Sequence, residues 1–184
     1  MRCGVDIAPV RSEPDDAAEQ VTQLVSGEPL QVEELRPGWA RILTAYGYPG
    51  WIRAEALEEG NGQFLIGFAE PLAAARSFLG APYEWGGLTR RGIDCSGLVH
   101  IAYRLVGRLV PRDSWQQEAA GTPVAWEALQ AADLVAYGGE RADHVAFWLG
   151  EGRILHATGR DGLGVVEEAE PPELTGARRG AFRL

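Results

Sequence analysis

Three side chains in this sequence are of the types that break a bond by nucleophilic attack and proton transfer: Cys95 in IDCSGLV (93–99), His144 in DHVAFWLG (143–150) and His156 in ILHATG (154–159). Cys95 is one of two cysteines in 184 residues, and it stands where an amphipathic helix, CSGLVHIAYRLVG (95–107), begins. At a helix start the unpaired N–H groups and the helix dipole favour an anion, so a thiol there can ionise near neutral pH. A thiolate becomes a catalyst when an imidazole pairs with it and later protonates the leaving group. The chain has three histidines. His100 lies five residues along the helix of Cys95, about 140° around it, and reads as a surface or packing residue.

The other two belong to neighbouring strands. Between them lies Gly150-Glu151-Gly152, which suits a three-residue hairpin loop with glycine in the left-handed region. A hairpin centred on Glu151 pairs Ala146 with His156 and sets His144 diagonal to His156 on one face, about 7–8 Å between Cβ atoms. A two-residue turn would flip that parity. A second imidazole bonded to the first would fix its tautomer and orientation. The sole asparagine, Asn61, lies in a linker, so a Cys-His-Asn arrangement has no candidate. Cys95, His144 and His156 are the economical set; the alternative is an inert packed cysteine and two strand histidines satisfied by their neighbours.

The elements that must position these groups differ between the two halves of the chain. Up to about residue 58, VTQLVSG (21–27), LQVEEL (30–35), WARILTAY (39–46) and GWI (50–52) read as short strands between Gly and Pro turns, as in a small barrel. EEGNGQF (58–64) reads as a linker. Helical spacing then predicts EPLAAARSFLG (70–80), the helix at 95–107, and DSWQQEAA (113–120) with Asp113 as N-cap. ADLVAYG (132–138), HVAFWLG (144–150), RILHATG (153–159) and LGVVEE (163–168) follow as strands. Helices followed by successive hairpin strands imply an α+β fold, with the helices on one face of an antiparallel sheet.

Composition excludes several classes. A net charge of −9 repels nucleic acid and anionic membranes. No run is long and apolar enough for a signal peptide or a bilayer span, so a cytoplasmic protein is expected. Neither cysteine belongs to a Cys-x-x-Cys pair, and no HExxH, phosphate loop or dinucleotide fingerprint occurs, so no metal or cofactor is expected.

Taken in order, PYEWGG (82–87), IDCSGLV (93–99), ADLVAYG (132–138), DHVAFWLG (143–150) and ILHATG (154–159) resemble the NlpC/p60 peptidases, a papain-like family that cuts bacterial cell-wall peptides. The resemblance covers residues 68–184 and departs slightly at Ala132, where the family usually has Gly. VRSEP, GEPLQV, GWARI and YGYPGWIRAEAL, within residues 3–57, resemble a bacterial SH3-like domain. Together they imply an SH3-like domain with its linker over 1–66 and a peptidase domain over 67–184.

The resemblance also implies roles. Cys95 is the nucleophile, His144 its base and His156 the residue orienting that base. Tyr83 helps the Cys95 N–H hold the oxyanion. Asp94, Ser96 and Ser114 line the substrate pocket, an acidic Asp94 suiting an amine. Trp85 and Trp148 are expected in packing, and Arg90-Arg91 and Arg178-Arg179 on the solvated surface. In the dipeptidyl-peptidase branch the SH3-like domain closes one end of the groove and supplies a tyrosine and a glutamate to the substrate's amine; Tyr48 and Glu13 are the candidates. The implied substrate is a murein peptide, L-Ala-γ-D-Glu-diamino acid, cut after D-Glu during cell-wall recycling. An exported wall endopeptidase or amidase, a silent wall-binding module and a thioesterase or acyltransferase are the rivals.

Overall fold

A computed structural model describes residues 1–184. The N-terminal part consists of β1 (Arg2–Cys3), β2 (Ile7–Arg11), β3 (Gln20–Val25), β4 (Leu30–Arg36), β5 (Trp39–Thr44), β6 (Pro49–Arg53) and β7 (Leu57–Glu58). Five of these form an antiparallel sheet in the order β3-β2-β6-β5-β4, while β1 pairs with β7. Alternation along each strand turns Val10, Leu24, Ile42 and Ile52 inward, and they make a core with Cys3, Ala8, Leu30, Ala40 and Ala56. The two turns read from sequence form where expected, with Gly27 and Gly38 both at positive φ.

The chain after residue 58 is not a free tether. Gln63 N–H donates to the Gly27 carbonyl at 3.0 Å, the Arg104 guanidinium lies 5.2 Å from the centre of the Phe64 ring, and Gly67 N–H donates to Leu105 at 3.0 Å.

The C-terminal part runs α1 (Pro71–Arg76), β8 (Leu88–Thr89), β9 (Gly92–Ile93), α2 (Cys95–Arg104), α3 (Ser114–Ala120), β10 (Thr122–Val124), β11 (Leu134–Tyr137), β12 (His144–Gly150), β13 (Arg153–Thr158), β14 (Gly164–Ala169), α4 (Pro172–Gly176) and β15 (Arg178–Arg183). Six strands form an antiparallel sheet in the order β10-β15-β11-β12-β13-β14. Leu134, Ala136, Val145, Phe147, Leu155, Ala157 and Phe182 meet α1 and α2 in one large core, and Val135, Tyr137, Ala146 and Ile154 form a smaller cluster with Trp148. The fold is α+β, as the pattern implied.

Two strands were not evident from sequence. β10 carries a proline, and β15 is arginine-rich, with Arg178 neutralised by Glu170 and Arg183 by Asp133. β15 lies between β10 and β11, where its inward residue Phe182 completes the core.

The two parts are joined by buried polar contacts. Arg104 of α2 donates to Glu28 at 2.8 Å, their side chains 4% and 0% exposed. Arg112 Nε donates to Thr22, Gln20 donates to the Trp85 carbonyl, and the Leu88 N–H donates to Gln23. Gly86 permits the close approach: its φ is +74°, and a Cβ there would lie 2.5 Å from the Gln20 carbonyl oxygen. His100 is a packing residue and not a surface one. It is wholly buried, its Nδ1 bonds the Val110 carbonyl at 2.8 Å, and its ring lies 4.3 Å from Tyr46 of the N-terminal part.

Glu28→Ala is therefore expected to lower stability by about 3–5 kcal/mol, because it leaves the Arg104 guanidinium buried without a counter-charge. Chemical denaturation measures the loss. Glu28→Leu combined with Arg104→Met removes both charges and should recover most of it; an equal loss in single and double variants would contradict the account.

Candidate active site

Cys95 occupies the first position of α2 because Asp94 caps that helix, accepting the Gly97 N–H at 2.6 Å. Gly97 is needed for the same geometry: any Cβ there would collide with the Gly87 carbonyl oxygen. Asp94 is itself fully engaged. Arg112 donates to its two oxygens at 2.9 and 2.7 Å, and the Gly86 N–H donates at 2.7 Å. Its charge is thus shared with Arg112 and the backbone, while its side chain still lines the space over the sulfur.

The Cys95 sulfur meets the start of β12. It lies 4.0 Å from the Asp143 carbonyl oxygen and against the Val145 N–H, the residues on either side of His144. His144 Nε2 is 2.8 Å from His156 Nδ1, with the rings edge to face. The predicted hairpin register holds: Phe147 pairs with Leu155, which continues to Ala146 opposite His156. The turn is shorter than expected, since Gly150 pairs with Arg153 and only Glu151 and Gly152, both at positive φ, bridge the strands. A bulge between Trp148 and Gly150 inserts the residue that restores the parity.

Beyond His156 stands a group that sequence reasoning missed. Glu168 of β14 lies 2.8 Å from His156 Nε2 and is gripped by Arg160 at 2.6 and 2.5 Å. His156 opposes Val166, so Glu168 is diagonal to it as His144 is on the other side. The signal was present: residues 144, 156 and 168 fall at a constant interval of 12.

Burial governs the ionisation of the pair. It pushes the Cys95 thiol up to about 12, reinforced by the charge of Asp94 and opposed by the N–H groups of Val145 and Ser96. Burial, with His156 adding to it, lowers His144 to about 3. At neutral pH the site therefore rests as thiol and neutral imidazole. The helix-start donors are present and favour the anion, while desolvation opposes it as the larger effect. Burial also raises the Tyr83 phenol, with the charges of Cys95 and Asp94 adding, so it remains an O–H donor. Tyr83 is laid beside Ile93, two residues ahead of Cys95, by a short parallel bridge.

A cavity of about 380 Å³ opens over the sulfur. Cys95, Asp94, Ser96 and Ser114 line it from the C-terminal part, with Arg141, Ala142 and Asp143 just before His144. Ser96 accepts from Arg112, and Ser114 donates to the Ala142 carbonyl at 2.9 Å. The N-terminal part supplies Tyr48, Val21 and Glu19. Tyr48 donates to Asp113 at 3.1 Å, and Glu19 accepts the Trp85 indole N–H at 2.8 Å.

Two expectations are corrected here. Glu13 is exposed and outside the cavity; Ser12 N–H bonds the Glu19 carbonyl, so residues 13–18 loop away and Glu19 returns to the interface. Trp85 is 59% exposed at the cavity rather than packed. Trp148 is packed, half-buried beneath the Arg178 guanidinium, which is not a free surface charge. No group of three or more His, Cys, Asp or Glu side chains is disposed to hold a metal ion.

Two family models match separate stretches of the chain. The NlpC/P60 family model matches residues 80–172, and the bacterial dipeptidyl-peptidase SH3 domain model matches residues 10–57. A Corynebacterium glutamicum protein named "Probable endopeptidase" is 49% identical over 85 residues, 46% of this chain and 39% of its own length. The gamma-D-glutamyl-L-lysine dipeptidyl-peptidase of Bacillus cereus is 33% identical over 129 residues, 64% of this chain and 37% of its own. The chain thus spans roughly two fifths of the length of these curated relatives. A crystal structure of an NlpC/P60 family protein from Bacillus cereus superposes with a TM-score of 0.59 at 25% identity, covering 99% of this chain and 62% of that one.

Because the thiol rests protonated, alkylation of Cys95 by iodoacetamide in the ligand-free protein should rise continuously from pH 6 to pH 9. A plateau reached below neutral pH would indicate a preformed thiolate–imidazolium pair and overturn this assignment. Cys95→Ala, measured in parallel, reports the background from Cys3.

Proposed function

The chain belongs to the NlpC/P60 family, and from that premise we propose that it is a cysteine peptidase acting on short murein peptides with a free N-terminal L-alanine. It cleaves the bond between the γ-carboxyl of D-Glu and the following diamino acid. The observation that carries this reading is that the N-terminal part lines the cavity: Tyr48, Val21 and Glu19 border the space over Cys95. A bordered space limits how much peptide fits before the scissile bond. An acidic lining favours an ammonium group; besides Asp94 and Asp143 it includes Asp113, bonded by the Tyr48 hydroxyl, and Glu19 from the N-terminal part. Arg112 is committed to Asp94, so Arg141 is the lining cation left for the α-carboxylate that a γ-linked D-Glu leaves free.

The chemistry follows from the atoms in place. His144 Nε2 is occupied by His156, which leaves Nδ1 as the base. Nδ1 takes the thiol proton as Sγ bonds to the γ-carbonyl carbon, so charge separates only when substrate is there to receive it. The oxyanion is held by the Tyr83 hydroxyl and the Cys95 N–H, a helix-start donor without an intrahelical partner. The C–N bond then breaks, and His144 returns the proton to the departing amine. L-Ala-γ-D-Glu remains on sulfur as a thioester. Water, deprotonated by His144, attacks that carbonyl, and the C–S bond breaks to release the dipeptide and restore the thiol. The chemistry of the substrate also suggests the setting: its amine is free only after the peptide has left the sugar, which fits cytoplasmic recycling of released peptides.

Hydrolysis of L-Ala-γ-D-Glu-diaminopimelate and its N-acetylated twin tests the reading. Only the free amine should turn over, and Cys95→Ala should abolish it. Glu19→Gln should raise KM on the order of tenfold to a hundredfold, the worth of one charge-assisted hydrogen bond. Equal cleavage of both peptides would point instead to an endopeptidase, and cleavage of neither to a binding module.

A further inference from the structure

We propose that Glu168 is a positioning residue of the catalytic machinery: clamped by Arg160, its carboxylate sets which nitrogen of His156, and in turn of His144, carries the proton. The inference rests on the assignment of His144 as base, and it adds a fourth member to the set already described.

The argument is one of donor and acceptor counting. The carboxylate of Glu168 accepts hydrogen bonds and donates none. His156 Nε2, 2.8 Å from it, must therefore be the protonated nitrogen. In a neutral imidazole the other nitrogen is then a bare acceptor. That nitrogen, Nδ1, faces His144 Nε2 at 2.8 Å, so His144 Nε2 carries a proton and donates it. His144 Nδ1 is left with its lone pair, the form a base toward Cys95 requires. One carboxylate thus fixes two tautomers in series. Without it, His156 is free to take its other tautomer, turn a proton toward His144, and place the His144 proton on the nitrogen that must be bare.

The surroundings keep Glu168 in this role. Arg160 contacts both of its oxygens, sharing Oε1 with His156, and also bonds Glu173, so the carboxylate is held in place beside the ring. The diagonal placement across β12, β13 and β14 sets the spacing without any loop, and strands hold such geometry better than loops do.

Nitrogen-15 NMR of the ligand-free protein tests the order of protons directly, and needs no substrate. With three histidines the spectrum is assignable. His144 and His156 should both be Nε2–H tautomers. His100 is an internal control of the opposite kind, since its Nδ1 bonds the Val110 carbonyl. In Glu168→Leu the His156 and His144 signals should show mixed tautomers, and kcat should fall about a hundredfold with KM nearly unchanged. This is less than the roughly ten-thousandfold loss when a carboxylate bonded directly to the catalytic histidine is made an amide, because one imidazole intervenes here. A proton found on His156 Nδ1 in the unaltered protein overturns the proposal, even if Glu168→Leu does not fold. So does a folded Glu168→Leu with unaltered kcat. If the unaltered protein hydrolyses no peptide, the functional reading fails, while the tautomers still decide this one.

Discussion

The candidate active site depends on a guanidinium that water does not reach. Arg112 is 1% exposed and lies in none of the regular elements, yet its guanidinium bonds four residues. It donates to both oxygens of Asp94, to the Ser96 hydroxyl, to the Gly87 carbonyl at 3.3 Å and to Thr22 of the N-terminal part at 3.0 Å. The planar fork of arginine is suited to this, because its donors are fixed relative to one another and its charge is not lost on burial. An unpaired cation there would cost several kcal/mol. Paired, it makes the cap of α2, the turn before it and the neighbouring domain one mechanical unit. The position of the nucleophile therefore depends partly on a threonine 73 residues away, across the domain boundary.

That coupling explains why the N-terminal part is more than a tether. The Glu28–Arg104 pair, the Gln20 and Gln23 contacts and the docked segment after residue 58 hold it against α2 and the WGG turn. Once docked there, Tyr48 and Glu19 have no choice but to face the space over Cys95. Selection for short peptides would then arise from the same surface that stabilises the pair of domains. A mutation that loosens the interface is expected to affect substrate choice and helix capping together.

The parts of this design that were legible in the sequence are those governed by local periodicity. Alternation in HVAFWLG and RILHATG was enough to bring His144 and His156 together, and Asp94 was visible as the residue before a helix. The turn was misjudged by one residue, yet the parity survived because a bulge at 148–150 compensated. What failed depended on partners distant in sequence. Glu13 and Glu19 are indistinguishable by composition, and only the pairing of Ser12 with Glu19 decides which one reaches the cavity. Arg112 carried no signal in the sequence, because its partners lie at positions 22, 87, 94 and 96. β15 escaped notice since its charges are neutralised by residues outside it, Glu118, Asp133 and Glu170. Glu168 is the intermediate case: the interval was regular, but a carboxylate at the end of an amphipathic strand does not declare its partner.

Burial presents the catalytic pair with a conflict, and the geometry resolves it. A cysteine in dry surroundings resists losing its proton, and an imidazole in the same surroundings resists gaining one. Both effects oppose the ion pair from which a thiol peptidase would be expected to start. They weaken, however, once a polarised carbonyl is placed against the sulfur, because the negative charge then moves onto an oxygen that Tyr83 and the Cys95 N–H can hold. The positive charge on His144 meanwhile has somewhere to be balanced: through His156 it faces Glu168, which Arg160 keeps in place. The resting thiol is thus a poor target for adventitious electrophiles and oxidants, which act on thiolates. On the proposed mechanism, reactivity would be confined to the moment when a peptide fills the cavity and supplies the missing half of the charge separation.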